Sequence, residues 1–315
     1  MAGSIIEAAR AGMYKVVLSQ IEHCGDLALH YTDYKQENVL HLILHSYTLP
    51  AITFGNRHEL LQCVIKLVEA GVDVNHLNNY NETPIVIADS YKLYKVVMYL
   101  LEHGAHVHYV DINDQDILHH LLYNIYDIDQ EDVEQYSKDC IQVVKTLINM
   151  GIDVNKPDNR GNIPLFYIAR HRVPLTLILF TTRNIIRLQF MLITALISAG
   201  CNVNHKNKKR QTPLMYYTRK QVDVSILKLL IEYSDVNLTD NNGDTACSYC
   251  FQYPLLNSHN IFKLYSRGVL MSPNNGVKLF HQILACKRLE VFNYYMGLKL
   301  IINGPTTEGK IFYIC

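Results

Sequence analysis

Residues 151–165 read GIDVNKPDNRGNIPL, and three kinds of punctuation follow one another in this stretch. Gly151 comes directly after Val143, Val144, Leu147 and Ile148, an apolar set at helical spacing, where a glycine supplies the left-handed backbone that stops a helix. Asp158-Asn159-Arg160-Gly161 has the composition of a tight exposed turn. Pro164 suits the first position of a new helix, where no backbone donor is needed. The stretch is therefore a helix end, a turn and a helix start.

It is not alone. Relatives of Asp158–Leu165 occur at Asn78–Ile85, Asn207–Leu214 and Asp240–Cys247, with weaker copies beginning at Asp33, Asp111 and Pro273. The starts are separated by 45, 33, 47, 49, 33 and 33 residues, so a unit of 33 recurs, sometimes enlarged by 12, 14 or 16. Upstream of most copies an apolar helix runs into glycine: LVEAGVDVN ends at Asn75, LLEHGAHVH at His108, LINMGIDVN at Asn155 and LISAGCNVN at Asn204. A fixed period with one helical unit per repeat predicts a solenoid, in which each unit buries its apolar face only against its neighbours.

Period, the Thr83-Pro84 and Thr212-Pro213 pairs and the Gly-x-Asp-Val-Asn endings together resemble the ankyrin repeat family, over roughly residues 3 to 300. The resemblance implies an all-α solenoid of stacked helix pairs with projecting β-turn fingers, about eight repeats, three of them with insertions between their two helices. It implies one domain over residues 1–300, with repeats near 1–32, 33–77, 78–110, 111–157, 158–206, 207–239, 240–272 and 273–300, and a tail at 301–315. It also implies that His41 and His119 are structural, bonding neighbouring turns, and that Asn75, Asn155 and Asn237 match asparagines hydroxylated in some members.

Local chemistry fits this frame. Thr83 and Thr212 are expected to cap first helices by accepting an orphan amide. Second helices are expected to bury Leu61, Val64, Ile65 and Val68, then Val96, Val97, Leu100 and Leu101, then Val143, Val144, Leu147 and Ile148. At each turn Gly161, Gly243 and Gly276 share a slot with Asn81, Asp114, Arg210 and Gln36. Positive φ suits glycine and is tolerated by Asn and Asp, so distortion is expected near Gln36 and Arg210. The three insertions lie near residues 47–57, 125–136 and 171–183, on the edge remote from the turns.

The chain has 315 residues, 49% hydrophobic and 18% charged, which suits an ordered molecule with short tails. Its first residues lack the charge and apolar pattern of a secretory signal and read as a first repeat. The apolar run VPLTLILF and the later LQFMLITALI are interrupted by Arg183, Asn184 and Arg187, short of the ~20 apolar residues a membrane span needs. Eight cysteines without a signal imply reduced thiols, hence the cytoplasm, with the nucleus as the alternative.

Catalytic and metal chemistry find little footing. Cys247 and Cys250 form a lone C-x-x-C at two core positions of the repeat, which is a weak zinc signal and a good small-hydrophobe signal. His103, His106 and His108 crowd together, but two of them fall where sister repeats carry Asp or Asn, so they read as surface polarity. No nucleophile and acid are grouped around His41 or His119, and no Gly-rich phosphate loop occurs. No enzyme, cofactor, metal or small-molecule substrate is expected.

Charge is more informative. Between Lys156 and Lys220 there are twelve Lys or Arg against one acid, and between Asp111 and Asp139 nine acids against one base, although the chain as a whole is neutral. Association is expected to be steered by the basic turn Lys208, Lys209, Arg210 with Arg160, which suits an acidic protein surface better than nucleic acid. The expected function is a non-enzymatic scaffold or adaptor that binds a partner protein through a concave face and the turns. The expected partner-binding residues are Tyr34, Lys35, Asn79, Tyr80, Ile112, Asn113, Asn159, Arg160, Lys208, Lys209, Arg210, Asn241 and Asn242. The alternative is a substrate-recruiting subunit of a ubiquitin ligase, or a host-directed viral or parasite effector. The AT-rich composition bias, many Asn, Ile and Tyr with no Trp, is compatible with the latter.

Overall fold

A computed structural model describes residues 2–24, 30–48, 57–123, 125, 133–169, 179–220 and 223–252. The chain divides into two compact units, Met1–Asn159 and Arg160–Cys315. Among the described residues every regular element is helical.

Unit 1 contains α1 (Ala2–Arg10), α2 (Tyr14–Cys24), α3 (Val39–His45), α4 (Arg57–Glu69), α5 (Pro84–Ser90), α6 (Tyr94–Glu102), α7 (Ile117–Tyr123) and α8 (Val133–Asn149). Odd-numbered helices form one layer, α1 on α3, α3 on α5 and α5 on α7, while α2, α4, α6 and α8 follow one another in a second. Each odd helix also packs on the next even one, so a pair is closed only by its neighbours. Unit 2 repeats the scheme with a 3-10 helix (Pro164–Ala169), α9 (Leu179–Ser198), α10 (Pro213–Lys220), α11 (Val224–Tyr233) and α12 (Ala246–Gln252). The 3-10 helix packs on α10 and α10 on α12, with α9 against α11 behind them.

Helix ends follow the glycine logic. At Gly151, with φ 82°, the N–H bonds to the Ile148 carbonyl and the N–H of Ile152 reaches back to Leu147, a bond pattern that closes the last turn of α8. Starts are less uniform. Asn38 and Asp116 each accept the amide of the histidine three residues on, at 3.2 and 3.1 Å, and Thr212 accepts from Met215 at 3.4 Å. Thr83, expected to do the same, makes no side-chain cap bond, because the Val86 amide turns to the Thr83 carbonyl at 3.1 Å instead. Where Ile163 occupies this slot no side-chain acceptor exists, and the segment after it winds as a 3-10 helix. The Tyr217 hydroxyl donates to the Leu165 carbonyl at 2.7 Å and the Gln189 amide to Ile168 at 3.0 Å, supplying partners for carbonyls of that segment.

The buried faces agree with the periodicity in α6 and α8, where Val96, Val97, Leu100, Val143, Val144 and Leu147 are buried, though Ile148 is only half-buried. In α4 the face is turned by one residue: Leu60, Cys63, Val64 and Leu67 are buried, and Leu61, Ile65 and Val68 are half-exposed. Cys63 fills a core position as a small hydrophobe, and burial pushes its thiol up to about 12.

The enlarged repeats fall partly outside the described residues, which omit 49–56, 126–132 and 170–178. The second helices that follow the latter two are long, 17 residues in α8 and 20 in α9, against 9 in α6. The turn at Pro273, the helix pair expected over 273–300 and the tail also lie outside them.

The predicted positive-φ slot is occupied as expected by Gln36, Asn81, Asp114, Gly161, Arg210 and Gly243, with φ between 56° and 77°. No distortion accompanies Gln36 or Arg210. Their turns close with the same two main-chain bonds as their neighbours, so the strain is confined to φ. Gln36→Gly is therefore expected to stabilise unit 1 by about 0.5–1 kcal/mol, read as a raised thermal midpoint.

Candidate functional site: a row of finger turns

Each turn begins with Asp or Asn, and that residue organises the finger. Asp33 Oδ1 accepts the amides of Lys35 and Glu37 at 2.8 and 3.0 Å. Asn78, Asp111, Asn207 and Asp240 do the same two and four residues on, at 2.7 to 3.0 Å. Only a short side chain with an oxygen two bonds beyond Cβ reaches both amides, which explains the composition of this position.

Neighbouring fingers are then joined edge to edge. In unit 1 the Asn79 amide donates to the Lys35 carbonyl at 2.8 Å and Asn159 to Asn113 at 2.9 Å. In unit 2 Lys208 donates to Arg160 at 3.1 Å and Asn241 to Lys209 at 3.2 Å. Within each unit these bonds tie neighbouring tips together by backbone, and the tip side chains are left to solvent. Of the thirteen expected partner-binding residues, twelve are exposed, and Lys35 is half-buried beside the Tyr34 ring. Tyr34 and Ile112 stand out farthest, at 78% and 80% exposure.

Several side chains to which the sequence assigned no such contact clip one finger to the next. His76 Nε2 bonds to the Gln36 carbonyl at 3.0 Å and His205 Nε2 to Gly161 at 2.9 Å, the same contact in two repeats. Asn75 bridges to the following hairpin twice, donating to the Gly104 carbonyl and accepting the His106 amide at 2.9 and 2.7 Å. The shared Val-Asn-His at 74–76 and 203–205 was the available signal. In unit 2 the Tyr249 hydroxyl donates to Asp240 and accepts from Gln211, both at 2.7 Å, and burial pushes the phenol up to about 12. Arg10 pairs with Asp33 at 2.8 Å and lies 5.9 Å from the Tyr34 ring, bracing the first finger from α1.

Behind the tips sit two buried histidines. His41 Nε2 meets the Glu82 carbonyl of the next finger at 3.0 Å, and its Nδ1 meets Asn38 Oδ1 at 2.7 Å. Burial pulls this imidazole from its ordinary value down to about 4, although the Glu82 carbonyl works the other way. His119 Nδ1 pairs with Asp116 at 2.7 Å, both fully enclosed. These contacts hold fingers to first helices. Neither histidine has a nucleophile beside it in the contacts described.

His103, His106 and His108 are exposed, and His103 stacks on Tyr99. Cys247 is buried in the core, while the Cys250 side chain lies outside the described residues. No group of three metal-binding side chains occurs among the described residues. Nor is any described helix long and apolar enough to cross a membrane.

Charge separates sharply between the units. Residues 1–159 hold ten Lys or Arg against twenty-two acids, net −12, and residues 160–315 hold nineteen against seven, net +12. Lys208, Lys209 and Arg210 are exposed and form no ion pair among the described residues.

Comparison with known proteins agrees with this geometry. A family profile described as ankyrin repeats, in three copies, matches residues 185–272. Residues 185–272 are therefore ankyrin repeats. The crystal structure of the human ASB11 ankyrin repeat domain is similar in fold, with a TM-score of 0.57 over 85% of this chain and 99% of that one at 17% identity. An ankyrin repeat protein of variola virus, OPG189, is 28% identical over 107 residues, in two viral sequences. The matched stretch is 34% of this chain and 16% of that relative, so the chain spans about a sixth of the length of the curated relatives it matches.

Proposed function

We propose that this protein is a non-enzymatic scaffold or adaptor that grips a partner protein with its finger tips and the adjoining face of its first helices. The observation that carries the reading is the backbone joining of neighbouring fingers within each unit, rigid at the base and solvent-facing at the tip. Ordering cost on binding is small for a surface already held this way, and exposed Tyr and Arg are efficient anchors. Tyr34, Lys35, Asn79, Tyr80, Ile112, Asn113 and Asn159 contribute from unit 1. Arg160, Lys208, Lys209, Arg210, Asn241 and Asn242 contribute from unit 2, where the excess of cations favours an acidic protein surface. Four cysteines among the described residues are buried and free, which suits a reducing compartment and favours the cytoplasm or nucleus.

The test is a charge reversal. Lys208→Glu with Lys209→Glu and Arg210→Glu is expected to slow association with the partner about tenfold at low salt and to flatten its salt dependence. An unchanged association rate would remove the acidic-partner reading. A second reading, a host-directed viral effector, is favoured by the likeness to the variola virus protein. Co-purification of a cullin adaptor would replace the scaffold with a ligase subunit.

A further inference from the structure

The ±12 division has a partner of matching charge at hand, namely another molecule of the same chain. Asp73, Asp114 and Asp153 are exposed at the turns and hairpins of unit 1 and make no ion pair among the described residues. Other acids of unit 1 are engaged internally, among them Asp33 with Arg10, Glu69 with Lys66, Glu134 with Lys138, and Glu37, Asp111 and Asp116 with histidines. In unit 2 Arg160, Lys208, Lys209 and Arg210 are exposed on two adjacent, hydrogen-bonded fingers. Each unit thus repels its own kind and attracts the other.

We propose that the protein associates with a second copy of itself head to tail, the basic fingers of unit 2 in one copy meeting the acidic turns of unit 1 in the other. Such a contact is heterologous: its two faces differ, one basic and one acidic. Pairs of exposed charges are individually weak and screened, so the association is reversible and strongest at low salt. The proposal rests on reading the fingers as a docking edge, and it makes self-association a competitor for the basic tips that an acidic partner would use.

The experiment is light scattering on the full chain across a concentration series, at about 0.05 M and about 0.3 M salt, which shortens the screening length from about 14 to about 6 Å. Concentration-dependent growth in mass at the lower salt is expected, with apparent affinity falling about tenfold at the higher. The Lys208→Glu, Lys209→Glu, Arg210→Glu variant and an Asp73→Lys, Asp114→Lys, Asp153→Lys variant are each expected to be monomeric alone. Mixed together they should associate, because each supplies the face the other has lost. Should the lysine variant fold poorly by circular dichroism, Asp→Asn at the same three positions keeps the local acceptors and should weaken self-association without reversing it. A monomer at every concentration overturns the proposal, as does growth that survives either reversal or a mixture that stays monomeric. Those results leave the acidic-partner reading untouched, since that reading is judged by heterologous association alone.

Discussion

Gly161→Val is expected to lower the unfolding free energy of unit 2 by about 3 kcal/mol, measured by denaturant titration. Two effects add. At φ 75° a branched side chain incurs the left-handed penalty, about 1–2 kcal/mol. A Cβ at this position would also sit 2.8 Å from the Lys208 amide nitrogen and 3.2 Å from Asn207 Cα. Both are backbone atoms of the adjoining finger, so no flexible tip can swing aside, and relief means parting the Lys208–Arg160 hydrogen bond. That displacement costs about 1–3 kcal/mol more. Gly243 is the internal control: φ is 77°, but nothing lies within 4 Å of its would-be Cβ, so Gly243→Val should cost only the first part. Equal losses at the two glycines would show that the fingers of unit 2 do not approach each other as described.

Acidification provides the second large effect. His41 is held neutral in unit 1, its imidazole lowered from 6.5 to about 4, chiefly by burial. Between those values the unfolded chain binds a proton that the folded protein refuses, so stability is full above about 6.5 and falls as the pH drops toward 4. At pH 5 the loss from this residue is about 2 kcal/mol. His120, also lowered by burial, adds in the same direction. His41→Gln should therefore be less stable than the parent at neutral pH, because the Glu82 carbonyl loses a well-placed donor, yet should lose about 2 kcal/mol less on going to pH 5. Parallel stability curves for parent and variant would assign the acid sensitivity elsewhere.

Local rules were legible in the sequence because they act within a few residues. The left-handed slot was recognised even where Gln36 and Arg210 fill it, since position in the repeat outweighed residue type. Gly151 marked a helix end for the same reason. Features that depend on a neighbour were hidden. The bond between Asn79 and the Lys35 carbonyl joins residues more than forty apart and leaves no pattern within one repeat. The face of α4 was misjudged by one residue, because Leu61, Ile65 and Val68 fit helical spacing as well as the buried Leu60, Cys63 and Leu67 do. Thr83 looked like a cap by type, while the backbone of its helix start uses the carbonyl instead. The polarity behind a formal charge of zero was legible in the acidic run at 111–139 and the basic run at 156–220, and the boundary after Asn159 gives it as −12 and +12.

The most direct measurement of the binding account compares two charge reversals within unit 2. One alters the tips, Lys208→Glu, Lys209→Glu and Arg210→Glu. The other alters the exposed Arg183 and Arg187 of α9 to glutamate, on the second-helix layer. Quantitative affinity purification from native cells should show the principal partner reduced about tenfold by the finger variant and retained by the α9 variant. Retention by the finger variant with loss from the α9 variant would place the binding surface on the second helices and contradict the account.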